Sequence, residues 1–201
     1  MNIKLLETYK KNINNNRKRE LTPPSPETVM AYWDVAAFAM HDAYITDAVA
    51  KTMIKNLYTE RKGICFCGSK GIGKSLNMDI FAKLQGDVNG VEIEVWDARE
   101  IEMNYKTSGA GIIERLGKIG QCVINEIGTE STIFNDFGTD RNIIADLLYL
   151  RYRSFQLAGK RTFLTTNLKP ETIFERYGSR IADRMREMFI FVELTGESRR
   201  K

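Results

Sequence analysis

The first chemistry legible in this chain is Gly68-Ser-Lys-Gly-Ile-Gly-Lys-Ser75, in which four residues separate Gly68 from Gly73 and Lys-Ser follows. Glycines let such a loop bend until successive backbone N–H groups point inward at phosphate oxygens, and the helix that follows presents its positive end to the same charge. Lys74 is placed to reach the β- and γ-phosphates of a nucleoside triphosphate, and Ser75 to set its hydroxyl on Mg²⁺. The expected ligands are ATP and Mg²⁺, and the expected contacts are Gly68, Gly71, Ile72, Gly73, Lys74, Ser75 and Leu76. A chance glycine-rich turn is the plain alternative, but four fixed positions match by accident in fewer than about one chain in a hundred of this length.

A triphosphate site also needs groups for the metal and the attacking water. In Cys122-Val-Ile-Asn-Glu-Ile-Gly128 an apolar run ends in polar residues, and Glu126 stands where a carboxylate would orient and polarise water. Asn125 stands where an aspartate would normally support Mg²⁺. It can hydrogen-bond a metal-bound water but brings no negative charge to a hard cation, so Mg²⁺ affinity or hydrolysis is expected to suffer. In Phe163-Leu-Thr-Thr-Asn-Leu168, Asn167 is placed to position the water or touch the γ-phosphate, or to cap a helix starting near Pro170. Arg180 and Arg184 lie four apart and share a helix face. They can pair with Asp183 or Glu187, or reach across a subunit interface to developing phosphoryl charge.

These groups act together only if strands and helices bring them there. Residues 63–67 read as a short buried strand directly before the loop, and 76–84 as a helix with Ile80, Phe81 and Leu84 on its apolar side. Residues 91–96 form a strand by their period of two, 98–105 and 111–116 are helical, and 121–125 is a short buried strand. A long helix is expected over 141–157, with Ile144, Leu147, Leu148 and Arg151 at helical intervals, and 161–166 and 189–193 complete five strands. Strands separated by helices predict an α/β domain, a parallel sheet covered on both faces with its ligand at the carboxyl ends of the strands. Upstream, residues 10–19 are basic and Asn-rich, and Leu21-Thr-Pro-Pro-Ser-Pro26 forbids helix. Ser25 and Pro26 then start a helix along which Val29, Met30, Trp33, Ala36, Ala37 and Met40 recur, and a second covers 47–58. The expected division is a basic segment and linker over 1–26 and a P-loop domain over 27–201, with a helical lead-in at 27–60 and a core at 61–201.

A chain of 201 residues suits one domain with an appendage. The net charge of +4 is unevenly spread. Lys10, Lys11, Arg17, Lys18 and Arg19 crowd one end, and Arg176, Arg180, Arg184, Arg186, Arg199, Arg200 and Lys201 the other. Either set can meet a phosphate backbone or remain solvated. Cys65, Cys67 and Cys122 read as small buried apolar residues in a reducing compartment, and with His41 alone beside them they make a poor zinc set. No apolar run approaches the roughly 18 residues of a membrane span and no signal-peptide pattern opens the chain, so a cytoplasmic protein without a membrane partner is expected.

The ordered set GSKGIGKS, VINEIG, TTNL, YGSRIADRM and LTGESRR resembles the AAA+ ATPases of the bacterial DnaC-type helicase-loader group and the related IstB-type transposition helpers. The resemblance implies a five-stranded P-loop AAA+ core, a three-layer αβα sandwich without a separate C-terminal lid, whose sensor strand lies between the two motif strands. It implies that Glu126 is the catalytic glutamate, Asn167 the sensor and Arg184 the arginine finger of a neighbouring subunit's site, with Arg180 beside it. Asn125 replaces the family's aspartate. Self-association through Arg184, single-stranded DNA and a replicative helicase, or a transposase for the IstB type, are the implied partners. Residues 99–118 stand where the family inserts DNA-contacting helices, which makes Lys106, Arg115 and Lys118 candidates. A weakly hydrolysing nucleotide-switch adaptor is the alternative that Asn125 motivates, and a small-molecule phosphotransferase is disfavoured because no acceptor pocket is legible.

Overall fold

The central strands of this chain are too apolar to leave either face wet, and that decides the architecture. In the computed structural model the described residues are 61–136 and 138–198, together with Ser25, Glu27, Thr28, Met30, Ala31 and Asp34. The expectations for the basic segment 10–19, most of the Pro-rich linker, the helix at 47–58, His41, the apolar residues Val29, Trp33, Ala36, Ala37 and Met40, the side chain of Leu84, and Arg199, Arg200 and Lys201 lie outside them. Among the described upstream residues the Ser25 hydroxyl accepts the Thr28 N–H at 3.3 Å, the helix-starting bond that its type suggested.

In chain order the elements are β1 (Gly63–Gly68), α1 (Lys74–Asn89), β2 (Glu94–Asp97), α2 (Ala98–Ser108), α3 (Gly111–Lys118), β3 (Cys122–Ile127), β4 (Phe134–Asp136), β5 (Thr139–Arg141), α4 (Ile143–Ala158), β6 (Thr162–Thr166), α5 (Pro170–Tyr177), α6 (Ser179–Met188) and β7 (Phe189–Leu194). Five strands form one sheet in the order β2-β3-β6-β1-β7, every pairing parallel. Helices flank it, giving the three-layer α/β fold, and β6 lies between β1 and β3 as the resemblance implied. Ile64, Cys65, Phe66, Val123, Phe163 and Leu164 are fully buried, as strands covered on both faces must be. The chain divides into two compact units; Arg61–Met78 with Glu94–Lys201 holds the whole sheet, and Asp79–Ile93 belongs to the other. Among the described residues no helix is long and apolar enough to cross a membrane.

Parallel strands place all their carboxyl ends on one edge of the sheet and gather helix C-termini at the opposite edge. Those C-termini need donors. Lys160 Nζ donates to the Lys118 carbonyl at the end of α3 at 2.5 Å, and Lys62 Nζ to the Arg186 carbonyl near the end of α6 at 2.9 Å. Arg151 serves the same edge from inside the core, where it is fully buried. Its Nε donates to Thr162 Oγ1, its Nη1 to the carbonyls of Leu116 and Ile119, and its Nη2 to those of Gly120 and Arg161, at 2.7 to 3.1 Å. All five guanidinium donors are used, so this residue of the expected apolar stripe is a polar staple.

Two expectations change. The strand expected at 91–96 begins at Glu94, because β2 is an edge strand that pairs with β3 alone and their register starts at Glu94 opposite Cys122. The helix expected from Arg141 begins at Ile143, because Asn142 caps it by accepting the Ala145 N–H at 2.9 Å. Arg141 instead closes an antiparallel hairpin of β4 and β5 that sequence reading missed. The three cysteines are buried and free, and burial pushes the Cys65 and Cys122 thiols up.

Candidate nucleotide site

Strand β1 ends at Gly68, and the chain loops through Gly71 and Gly73 before α1 begins at Lys74. Helix α1 starts two residues earlier than expected, so Lys74 and Ser75 lie on its first turn. Gly71 has φ 84°, and a Cβ built there would stand 2.2 Å from Ser198 Oγ, so the segment after β7 runs hard against the loop. At Gly68 a Cβ would stand 2.4 Å from the Leu194 carbonyl oxygen. The register of β1 with β7, Gly68 opposite Leu194, is what brings these backbones so close. Glycine is thus required here by contact as well as by conformation.

Lys74 is only 6% exposed, and its Nζ donates to the carbonyls of Gly68 at 2.9 Å and Ser69 at 2.6 Å and to Asn167 Oδ1 at 2.8 Å. Sheet register explains the last bond: Cys67 pairs with Thr166, so Gly68 and Asn167 leave adjacent strands side by side. Asn167 therefore faces the loop and does not cap α5, whose N-cap is Lys169 without a side-chain bond. Ile72 is buried, and Ser75 and Leu76 are partly exposed.

Asn125 and Glu126 end up at the same edge. Both are half-buried between the buried Ile124 and Ile127. Glu126 has φ 55°, the one non-glycine residue with positive φ among those described. Its N–H donates to Thr165 Oγ1 at 2.9 Å, and the same hydroxyl donates to Asn125 Oδ1 at 3.0 Å. The Glu126 carbonyl accepts from the Thr129 N–H and hydroxyl. Beyond it, buried Glu130 accepts from Gly128 N–H at 2.7 Å, Arg176 Nε at 3.2 Å and the Tyr177 hydroxyl at 2.7 Å, fastening the loop after β3 to α5. Burial and the neighbouring Glu130 carboxylate push the Tyr177 phenol far up.

The arginine helix α6 does not pair as the local acids suggested. Asp183 pairs with Arg186 at 2.7 Å, and Glu187 accepts the Tyr152 hydroxyl at 2.9 Å. Arg184 lies instead on aromatic rings of α4, its guanidinium carbon 4.6 Å from the Tyr149 centroid and 5.3 Å from that of Tyr152. Its Nη1 is buried without a hydrogen-bond partner, whereas Arg180, one turn earlier, is exposed. The candidates on α2 and α3 each have an acidic neighbour: Lys106 with Glu102 at 2.7 Å, Arg115 with Glu94 at 3.0 Å and Lys118 with Glu114 at 3.6 Å.

The structure thus brings together Lys74, Asn167, Asn125 and Glu126 at the carboxyl edge and sets Arg184 against α4. Sequence reading gave no role to Thr165, Glu130, Ser198 and the Tyr149–Tyr152 pair. Thr165 and Ser198 left a signal, since they lie within the motifs TTNL and LTGESRR.

A glycine loop after one parallel strand, a polar β3 terminus and β6 between them belong to a three-layer α/β fold that matches solved AAA+ P-loop structures. Among solved structures the chain is similar to the DnaC helicase loader, with 19% identity over 82% of this chain and 98% of that one and a TM-score of 0.63. It is also similar to DnaI, at 16% identity over 91% and 88% of the two chains with a TM-score of 0.56. The AMPPCP-bound DnaA of Aquifex aeolicus matches at 14% identity over 76% of this chain and 49% of that one, again with a TM-score of 0.56. No protein-family model and no curated protein sequence matches the chain.

Proposed function

We propose that this chain is an ATP-binding AAA+ protein of DNA replication that acts as a loader-like ATPase on single-stranded DNA and a replicative helicase. The observation that carries the nucleotide part is the Lys74 ammonium, held by two loop carbonyls and Asn167 Oδ1 so that the loop and the sensor strand converge on one cation. Glycines keep the loop close to the segment after β7, since side chains at 68 and 71 would strike Leu194 and Ser198. Lys74 exchanges carbonyl oxygens for phosphate oxygens, backbone N–H groups at the start of α1 bind the same charge, and Ile72 and Leu76 border them. Ser75 would hold Mg²⁺ by its hydroxyl and Asn125 through water, and the chemistry such an ion would supply is positive charge beside the phosphate. Glu126 orients and deprotonates the attacking water, and Asn167 senses the γ-phosphate. Arg184, with Arg180 beside it, completes the site of a neighbouring copy, which makes ATP-dependent self-association part of the reading. The DnaC and DnaI likenesses support the loader role, and the structure of DnaA with AMPPCP and single-stranded DNA supports the ligand classes.

The test is ATP binding and turnover with and without single-stranded DNA. In Glu126→Gln we expect turnover to fall by roughly 10²- to 10⁴-fold with ATP affinity little changed. Equal turnover in variant and wild type would remove Glu126 from the chemistry. The engagement of Asn125 Oδ1 by Thr165 favours a second reading, a slow nucleotide switch. It expects negligible wild-type turnover that Asn125→Asp raises.

Lys106, Arg115 and Lys118 are proposed to meet the DNA backbone. Changing all three to glutamine is expected to flatten the slope of log affinity against log salt by about 2, since each single-strand phosphate contact contributes about 0.7. An unchanged slope would place DNA elsewhere. Tighter binding of duplex than of single strands at matched salt would favour a transposition helper of the IstB type.

A further inference from the structure

Strand β3 is not regular where it reaches the site. Ile124 pairs with Leu164 and Ile127 with Thr166, so Asn125 and Glu126 together oppose Thr165 alone. Two residues against one is a β-bulge, the device that re-aims a side chain where a strand meets a functional site. A bulge leaves a ladder group without its regular partner, and here that group is the Glu126 N–H. The Thr165 hydroxyl accepts it at 2.9 Å and donates its own hydrogen to Asn125 Oδ1 at 3.0 Å. Thr165 is fully buried, so the hydroxyl that both bonds share is held in place by its packing. The residue that needs this support is the one held at φ 55°, a conformation disfavoured for a side-chain-bearing residue unless its surroundings fix it.

We propose that Thr165 is a positioning residue of the hydrolytic site: its hydroxyl holds the β3 bulge, fixing Glu126 in its left-handed conformation and Asn125 in one amide orientation. It touches neither nucleotide nor water and acts through those two residues. Without the hydroxyl, the Glu126 N–H loses its partner, the bulge can relax toward extended backbone, and the Glu126 side chain loses its fixed direction. This rests on reading Glu126 as the water-activating carboxylate.

The experiment compares Thr165→Val, which keeps the shape and removes the hydroxyl, with Thr165→Ser, which keeps the hydroxyl. ATP turnover, ATP affinity, thermal midpoint and hydrogen exchange at the Glu126 amide are measured on the full chain, with Glu126→Gln alongside. Thr165→Val is expected to lower kcat roughly 10- to 100-fold, as misplacement of a reacting group does, with ATP affinity within about twofold of wild type. Its Glu126 amide is expected to exchange at least about tenfold faster. Thr165→Ser should restore both. Wild-type protection of the Glu126 amide in Thr165→Val, or equal losses in Val and Ser, would overturn the proposal. Losing turnover in Glu126→Gln but not in Thr165→Val would sink the positioning role and leave the catalytic reading standing. Turnover kept in Glu126→Gln would instead remove the catalytic reading.

Discussion

Lys74→Ala is expected to weaken ATP binding by at least about 100-fold, a loss of about 2.7 kcal/mol. Among the described residues the Lys74 ammonium bonds both to the glycine loop and to Asn167, and charge-assisted bonds to phosphate are about twice as strong as neutral ones. Its present acceptors are neutral oxygens, so moving the proton donors to phosphate is favourable. The variant should fold, because the Gly68 and Ser69 carbonyls lie at the exposed rim of the sheet and can turn to water. Titration with a fluorescent ATP analogue, beside a thermal melt, checks both halves. An affinity within threefold of wild type would mean that the loop does not bind triphosphate through this lysine, and the proposed function would fall with it.

The second large effect concerns stability. Arg151→Met fills similar volume but removes five hydrogen bonds in the core. The carbonyls of Leu116, Ile119 and Gly120 and the Thr162 hydroxyl then lose this donor, while the Arg161 carbonyl keeps the Cys122 N–H at 3.4 Å. Each costs about 1–3 kcal/mol when left unpaired, partly offset because a cation need no longer be desolvated. Burial already pushes the Arg151 guanidinium down from its usual range, the sign of that desolvation. A net loss of about 3 kcal/mol corresponds to a fall in Tm of roughly 6–12 °C for a chain of this size. Arg151→Lys should rescue little, since an ammonium cannot reproduce a planar fork with five donors. A melt within about 2 °C of wild type would show that the staple is redundant.

The same residue shows why sequence reading reaches only part of this molecule. Arg151 keeps time with Ile144, Leu147 and Leu148, and periodicity identifies the buried face of a helix without saying what lies opposite. Only the packing of α4 between the end of α3 and the start of β6 sets carbonyls around it. Asn167 is a similar case: its type allowed a cap or a sensor, and the register of β1 with β6 decides for the loop. The pairing of Arg184 with local acids failed because neighbours along a helix were considered and the rings of α4 were not.

By itself the sequence determined the fold class and which residue types stand at the loop. Glycine spacing predicts a tightly bent loop because backbone freedom is a property of single residues, and apolar strand runs separated by helices predict a parallel α/β sheet because burial of both strand faces is written in composition. Tertiary structure alone decided strand order, the bulge that turns Glu126, the hydroxyl of Thr165 beneath it, and Ser198 against Gly71. These depend on register between segments roughly 40 to 130 residues apart, and register follows from how whole surfaces fit, which no local pattern encodes.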